Sequence, residues 1–146
     1  MRILVVHGPN LNLLGEREPA IYGRVTIERI NNELEKLAGE KKVSVEFFQS
    51  NHEGEIVDKI GQMKGKYQAL VINPAAYTHT SIAIRDAISA VGIPAIEVHL
   101  SNIYAREDFR RQSLIAPVAK GQISGFGVQS YHLGLLAAIE AAKKGK

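Results

Sequence analysis

Short apolar runs alternate with helix-periodic segments along the whole chain, and that alternation limits the folds open to it. Residues 3–6 are an unbroken run of branched aliphatics, as a strand buried on both faces requires. Thr26 is placed to N-cap a helix whose apolar face is Ile27, Ile30, Leu34, Leu37 and Ala38, at helical spacing. Residues 43–48 read as a second strand. Ile56, Val57, Ile60 and Met63 form a second helical stripe, with Gly65 closing it. Residues 69–72 read as a third strand, 81–91 as a helix ended by Gly92 and Pro94, and 94–98 as a fourth strand. A weaker fifth strand is expected over 123–126, and a terminal helix over 133–144.

Five such alternations imply an α/β fold with a parallel sheet covered by helices on both faces. Right-handed crossovers leave few topologies, and five strands favour a flavodoxin-like three-layer sandwich of order 2-1-3-4-5. The 146 residues suit a single catalytic domain spanning 1–146, and no repeat or low-complexity tract divides them. One irregular stretch, 8–25, is long for so small a domain, and such loops commonly serve as lids or binding loops.

The net charge of +3 is spread along the chain without a basic run, so a solvated surface is expected and a nucleic-acid partner is not. There is no cysteine, which excludes disulfides, thiolate metal sites and cysteine nucleophiles and fits a reducing compartment. The first apolar run is too short for a signal-peptide core or a membrane span, so a cytoplasmic protein without a membrane partner is expected.

In open parallel sheets, ligands bind beyond the carboxyl ends of the strands. Those ends hold His7, Asn10, His52, Asn73, His79 and His99, so four of the five histidines fall at one edge and a polar pocket is expected there. No close cluster of His and acidic residues accompanies His79 and His99, and no metal is expected. The segment 8–15 is neither a Walker A loop nor Gly-x-Gly-x-x-Gly, and Pro9 removes an amide donor. No Gly-x-Ser-x-Gly elbow is present.

General acid–base chemistry on a small carboxylate-bearing molecule fits what remains. Arg17 and Tyr22 share the long loop. A phenol with a pKa near 10 is a poor base unless a neighbouring cation stabilises its phenolate, and an arginine can supply that charge without deprotonating. Spacing alone equally allows Tyr22 simply to end the loop and pack. His99 can serve as a general acid or as an ordinary hydrogen-bonded structural histidine. Ser101 with its neighbouring amides, and Arg110, can bind a carboxylate.

Three segments carry a resemblance. Gly8-Pro-Asn-Leu-Asn-Leu-Leu-Gly15 continuing to Arg17-Glu-Pro-Ala-Ile-Tyr-Gly23 resembles the amino-terminal motif of type II 3-dehydroquinate dehydratases. Asn73-Pro-Ala-Ala-Tyr-Thr-His-Thr-Ser81 with Arg85-Asp86, and Glu97-Val-His-Leu-Ser-Asn102 with Arg106-Glu-Asp-Phe-Arg110, resemble the second and third. The motifs stand in family order and the similarity covers nearly the whole chain.

The resemblance implies removal of water from 3-dehydroquinate to give 3-dehydroshikimate, in the shikimate route to aromatic amino acids, with no cofactor. It implies Tyr22 as the base beside the ketone and Arg17 as its activator. Asn10 would hold the water that stabilises the enolate oxygen. His99 would be the acid for the departing hydroxyl, with Glu97 as its orienter. It assigns Asn73, His79, Leu100, Ser101 and Arg110 to the substrate. Asp86 would reach a neighbouring subunit's site, within a dodecamer of four trimers. Two positions depart from the pattern: Ala75 stands where glycine is frequent, which matters if that turn needs positive φ, and Tyr104 stands where histidine is common.

A flavodoxin would instead want a hydroxyl-rich loop after strand one, and a signalling receiver would want an Asp at position 73; neither is present.

Overall fold

The computed structural model describes residues 1–16, 20 and 24–145. Five parallel strands, β1 (Arg2–His7), β2 (Ser44–Gln49), β3 (Ala69–Asn73), β4 (Ala95–His99) and β5 (Gly121–Ser124), form one sheet in the order β2-β1-β3-β4-β5. This is the α/β architecture and strand order expected from the alternation. The helices whose full extent falls among the described residues are α1 (Ile27–Glu40), α2 (Glu53–Gly61), α3 (Ile82–Val91) and α4 (Val128–Lys144).

The strand order reverses direction between β1 and β3. Right-handed crossovers therefore put α1 on one face of the sheet and α2 and α3 on the other. The buried side chains divide accordingly. Ile3, Val5, Val71, Ile96 and Val98 pack with α1 and α4. Leu4, Val6, Leu70 and Ile72 pack with α2 and α3 through Ile56, Ile60, Ile84 and Ile88. Alternate residues of each central strand thus feed opposite cores, as a period of two demands.

Helix α1 starts where the sequence indicates: the Thr26 hydroxyl accepts a hydrogen bond from the Arg29 amide at 3.2 Å. Such a cap is worth about 1 kcal/mol. Ser81 caps α3 in the same way through the Ile84 amide, at 2.9 Å.

Helix α2 ends at Gly61, so Met63 and Gly65, expected to continue and close it, lie beyond its end, and the larger differences from the sequence expectation lie after β4. Strand β5 begins two residues earlier, at Gly121, paired with Ile96, and ends at Ser124, paired with His99. Phe126, expected to finish the strand, is 64% exposed. Helix α4 starts at Val128 rather than 133. Gly127, with φ 59°, turns the chain into it, and the Ser130 hydroxyl accepts from the Phe126 amide at 3.0 Å. The first turn of α4 buries Ser130 and Tyr131. Polar atoms on the inward face hid that turn from a reading based on apolar period. Among the described residues no helix is long and apolar enough to cross a membrane.

Candidate active site

The carboxyl ends of β1, β3 and β4 open into a shared pocket. It lies at and beside the place where the strand order reverses, the usual ligand position in such sheets. From the chain after β1 come Asn10 and Leu14, from β3 and the turn Ala75–His79 come Asn73 and His79. From β4 and the segment after it come His99, Leu100, Ser101, Arg106 and Arg110. Of the residues expected at the site, Asn10, Asn73, His79, His99, Leu100, Ser101 and Arg110 therefore share one pocket, and Glu97 lies directly behind His99. Arg17 and Tyr22 lie outside the described residues. Asp86 is exposed on α3 and does not line this pocket.

The pocket takes only two of the four histidines at the strand ends. His52 is exposed, and its backbone precedes α2. His7 is buried, with Nδ1 2.8 Å from the Tyr131 hydroxyl and Nε2 2.8 Å from Asn31 Oδ1. Burial pushes the His7 pKa down to about 4, against a smaller opposing effect of the Asn31 hydrogen bond. At neutral pH His7 is an uncharged ring fixed between two polar partners, a structural group joining β1 to α1 and α4.

Glu97 and His99 are two residues apart on β4 and share a face, with Val98 between them turned into the opposite core. The Glu97 carboxylate is fully buried and lies 2.5 Å from His99 Nε2. A buried carboxylate is tolerable only when its oxygens are matched by donors. Thr78 Oγ1 donates to it at 2.8 Å, Ser113 Oγ lies 2.7 and 3.0 Å from its two oxygens, and Gln122 Nε2 donates at 3.2 Å. Burial alone would raise its pKa, but the hydrogen bonds from His99, Ser113 and Thr78 outweigh it and hold Glu97 below the usual carboxylate value. Glu97 is thus an ionised acceptor, which obliges His99 Nε2 to carry hydrogen and leaves Nδ1 as the ring nitrogen not engaged by Glu97.

His79 is held differently. Its Nδ1 donates to the Gln112 carbonyl at 2.8 Å, so Nε2 is left as an acceptor. Partial burial lowers its pKa, opposed by the Gln112 bond and reinforced by the charges of His99 and Arg110. His79 is neutral at neutral pH and suits hydroxyl recognition. Arg110 Nε donates to Glu107 at 2.5 Å, and its guanidinium lies 5.0 Å from the Phe109 ring centre, so the cation is held in place beside the pocket.

The first loop is pinned from below. Asn10 adopts φ 67°, a conformation asparagine tolerates well, and its amide donates to Asn51 Oδ1 at 2.9 Å. Gln49 Nε2 reaches the Gly8 carbonyl at 3.2 Å. The turn after β3 carries the suspected strain: Ala75 has φ 51°, and its amide is held by Asn73 Oδ1 at 3.0 Å. Thr78, Ser113 and Gln122, the residues that make buried Glu97 possible, were not singled out by the sequence. Only Thr78 stands inside a recognised motif; nothing local marks the other two.

Among the described residues no group of three or more His, Asp or Glu side chains is placed to hold a metal ion. The arrangement that is present, an ionised carboxylate oriented onto a pocket histidine beside arginine and amide groups, is one that can support proton transfer.

Comparison with known proteins agrees with that chemistry. The family model described as dehydroquinase class II matches residues 1–139. The chain belongs to the class II dehydroquinases. A 3-dehydroquinate dehydratase of Acaryochloris marina is 66% identical over 137 residues, covering 94% of this chain and 92% of the relative. One from Desulforudis audaxviator is 56% identical over 146 residues, covering 100% and 97%. The crystal structure of the type II dehydroquinase from Butyrivibrio crossotus superposes with a TM-score of 0.90 at 47% identity, covering 98% of this chain and 97% of that one. The three motifs that resembled the family lie within the matched range. In this dehydroquinase-family chain the motif residues of β3 and β4 converge on the pocket described above.

Proposed function

We propose that this chain is a 3-dehydroquinate dehydratase that forms 3-dehydroshikimate and water through an enolate intermediate. The observation that carries the reading is the buried, fully hydrogen-bonded Glu97 behind His99 in the wall of a pocket that also presents amides and arginine. Tyr22, as phenolate beside the Arg17 guanidinium, takes the proton next to the ketone. The electron pair moves to the ketone oxygen, where a water held by Asn10 stabilises the enolate. Collapse of the enolate expels the hydroxyl at the β carbon, and the imidazolium of His99 gives it a proton, so that water leaves. Glu97 favours the imidazolium by its negative charge. Asn73, His79, Arg110 and the Leu100-Ser101 segment bind the substrate hydroxyls and carboxylate. Asp86, exposed on α3, reaches the site of a neighbouring subunit within a dodecamer of four trimers. The location is cytoplasmic, in keeping with a cysteine-free chain.

The test is direct. Purified protein is mixed with 3-dehydroquinate, and the ultraviolet absorbance of the conjugated enone product is followed. Absorbance should rise, and should still rise with a chelator present or with borohydride added alongside substrate, since the three motifs hold no lysine to form a Schiff base. In Tyr22→Phe turnover should fall by about 10³-fold or more, with the folded structure retained, because the base is gone. Turnover close to wild type in Tyr22→Phe removes Tyr22 as the base.

A further inference from the structure

The segment between the last turn of the substrate wall and β5 reaches both pocket histidines, His79 directly and His99 through Glu97. The Gln112 carbonyl accepts from His79 Nδ1 at 2.8 Å. The adjacent Ser113 hydroxyl lies 2.7 Å and 3.0 Å from the oxygens of Glu97, which in turn holds His99. The Leu114 amide then donates to the Thr78 carbonyl at 2.8 Å, tying the segment to the turn that carries His79. Arg85 Nη1 reaches the Leu114 carbonyl at 3.3 Å from α3. Ser113 is itself fixed: its oxygen accepts from the amides of Ile115 and Ala116 at 3.1 and 2.9 Å. With two amides on its lone pairs, the hydroxyl has only its hydrogen left to offer, and the carboxylate is the acceptor within reach.

We infer that Ser113 is a positioning residue, which acts on the reaction by holding Glu97 and through it His99, and that residues 112–114 form one strap that orients both pocket histidines. The inference rests on the dehydratase reading above. A hydroxyl whose oxygen is locked by two backbone amides cannot rotate away, so it acts as a pre-aimed donor. Thr78 and Gln122 also donate to Glu97, each to the one oxygen Oε2, at 2.8 and 3.2 Å. Ser113 is the donor in reach of both carboxylate oxygens. Among the described residues, the charged and titratable groups near this carboxylate include His99 in direct contact and His79 across the turn, with Arg106 and Arg110 lining the same pocket.

The test uses the whole chain with Ser113→Ala, Ser113→Thr and Glu97→Gln. Ser113→Ala should lower kcat by about tenfold to a hundredfold while KM stays within about twofold, because substrate contacts are untouched. Ser113→Thr, which keeps the hydroxyl, should restore most of the loss. Independently of turnover, the infrared band of the protonated Glu97 carboxyl, assigned by its loss in Glu97→Gln, should appear about one pH unit higher in Ser113→Ala, since a carboxylate that loses a donor binds its proton more tightly. If Ser113→Ala does not fold, Ser113→Cys replaces it: the thiol is close in size but a weak donor, and the same displacement in smaller measure is expected. A folded variant with an unmoved carboxyl band, or with KM raised and kcat intact, overturns the inference. Absence of turnover in wild type overturns the dehydratase reading instead, while the infrared result still reports on Ser113.

Discussion

At position 75 a single methyl group sets a backbone angle at odds with its residue. Ala75 sits at φ 51°, in the left-handed region, where a Cβ crowds the following carbonyl and costs roughly 1–2 kcal/mol. The Asn73 side chain holds the Ala75 amide, and Ala75 packs at the edge of the α1–α4 core, so the turn keeps its shape despite that cost. Ala75→Gly should relieve it. After allowing for the greater freedom of glycine in the unfolded chain, a gain of about 0.5–1 kcal/mol is expected. Thermal unfolding should show this as a rise of roughly 1–4 °C. An unchanged or lower midpoint would mean the methyl's packing outweighs the strain. The departure was visible in the sequence as an alanine in place of a frequent glycine; its angle was not.

Helix α4 meets the sheet without a side chain at its closest point. A Cβ on Gly134 would lie 2.5 Å from Val98 Cγ1 and 3.5 Å from Val71 Cγ1. Valine is stiff at χ1 and buried here, so it has little room to yield. In an open helix, alanine would gain about 1 kcal/mol over glycine. Here overpacking costs about 1–3 kcal/mol, so Gly134→Ala should destabilise on balance. Urea unfolding of the single variant and of the double variant with Val98→Ala should show a favourable coupling of at least about 1 kcal/mol. Simple additivity would place the clash elsewhere. This contact also shows where local sequence reading stops. The helical period of α1 and the Thr26 cap depend on residues within one turn, and both were legible. The start of α4 depends on Tyr131 finding His7, and the burial of Glu97 depends on Thr78, Ser113 and Gln122 arriving from three other segments. Partnerships of that separation leave no periodic trace. The pocket histidines were legible as a group because the carboxyl edge of a parallel sheet is a property of topology, yet His7 and His52 share that edge without joining the pocket.

For the molecule as a whole, His7 links stability to acidity. Its folded-state pKa, about 4, lies below the unfolded value of 6.5, so the unfolded chain binds more protons between those two values. The contribution of the neutral ring is complete above pH 6.5 and declines as pH falls towards 4, by about 1.4 kcal/mol per unit. From pH 6.5 to 5 the unfolding free energy should therefore drop by roughly 2 kcal/mol from this residue. His7→Gln, which can still offer a donor and an acceptor to Asn31 and Tyr131, should be less stable at pH 7 but flatter across that range. Parallel pH profiles for the two proteins would assign the acid sensitivity to other groups. Strand β4 has the opposite character, since it keeps two tasks apart by parity. Its even positions, 96 and 98, face α4, and on its other face Ala95 packs into the α2–α3 core while 97 and 99 turn towards the pocket. For a protein engineer these are separable design variables one residue apart: libraries at 96, 98 and 134 address heat tolerance, while 97 and 99 are left as they stand so that the search does not reach the proposed proton-transfer pair.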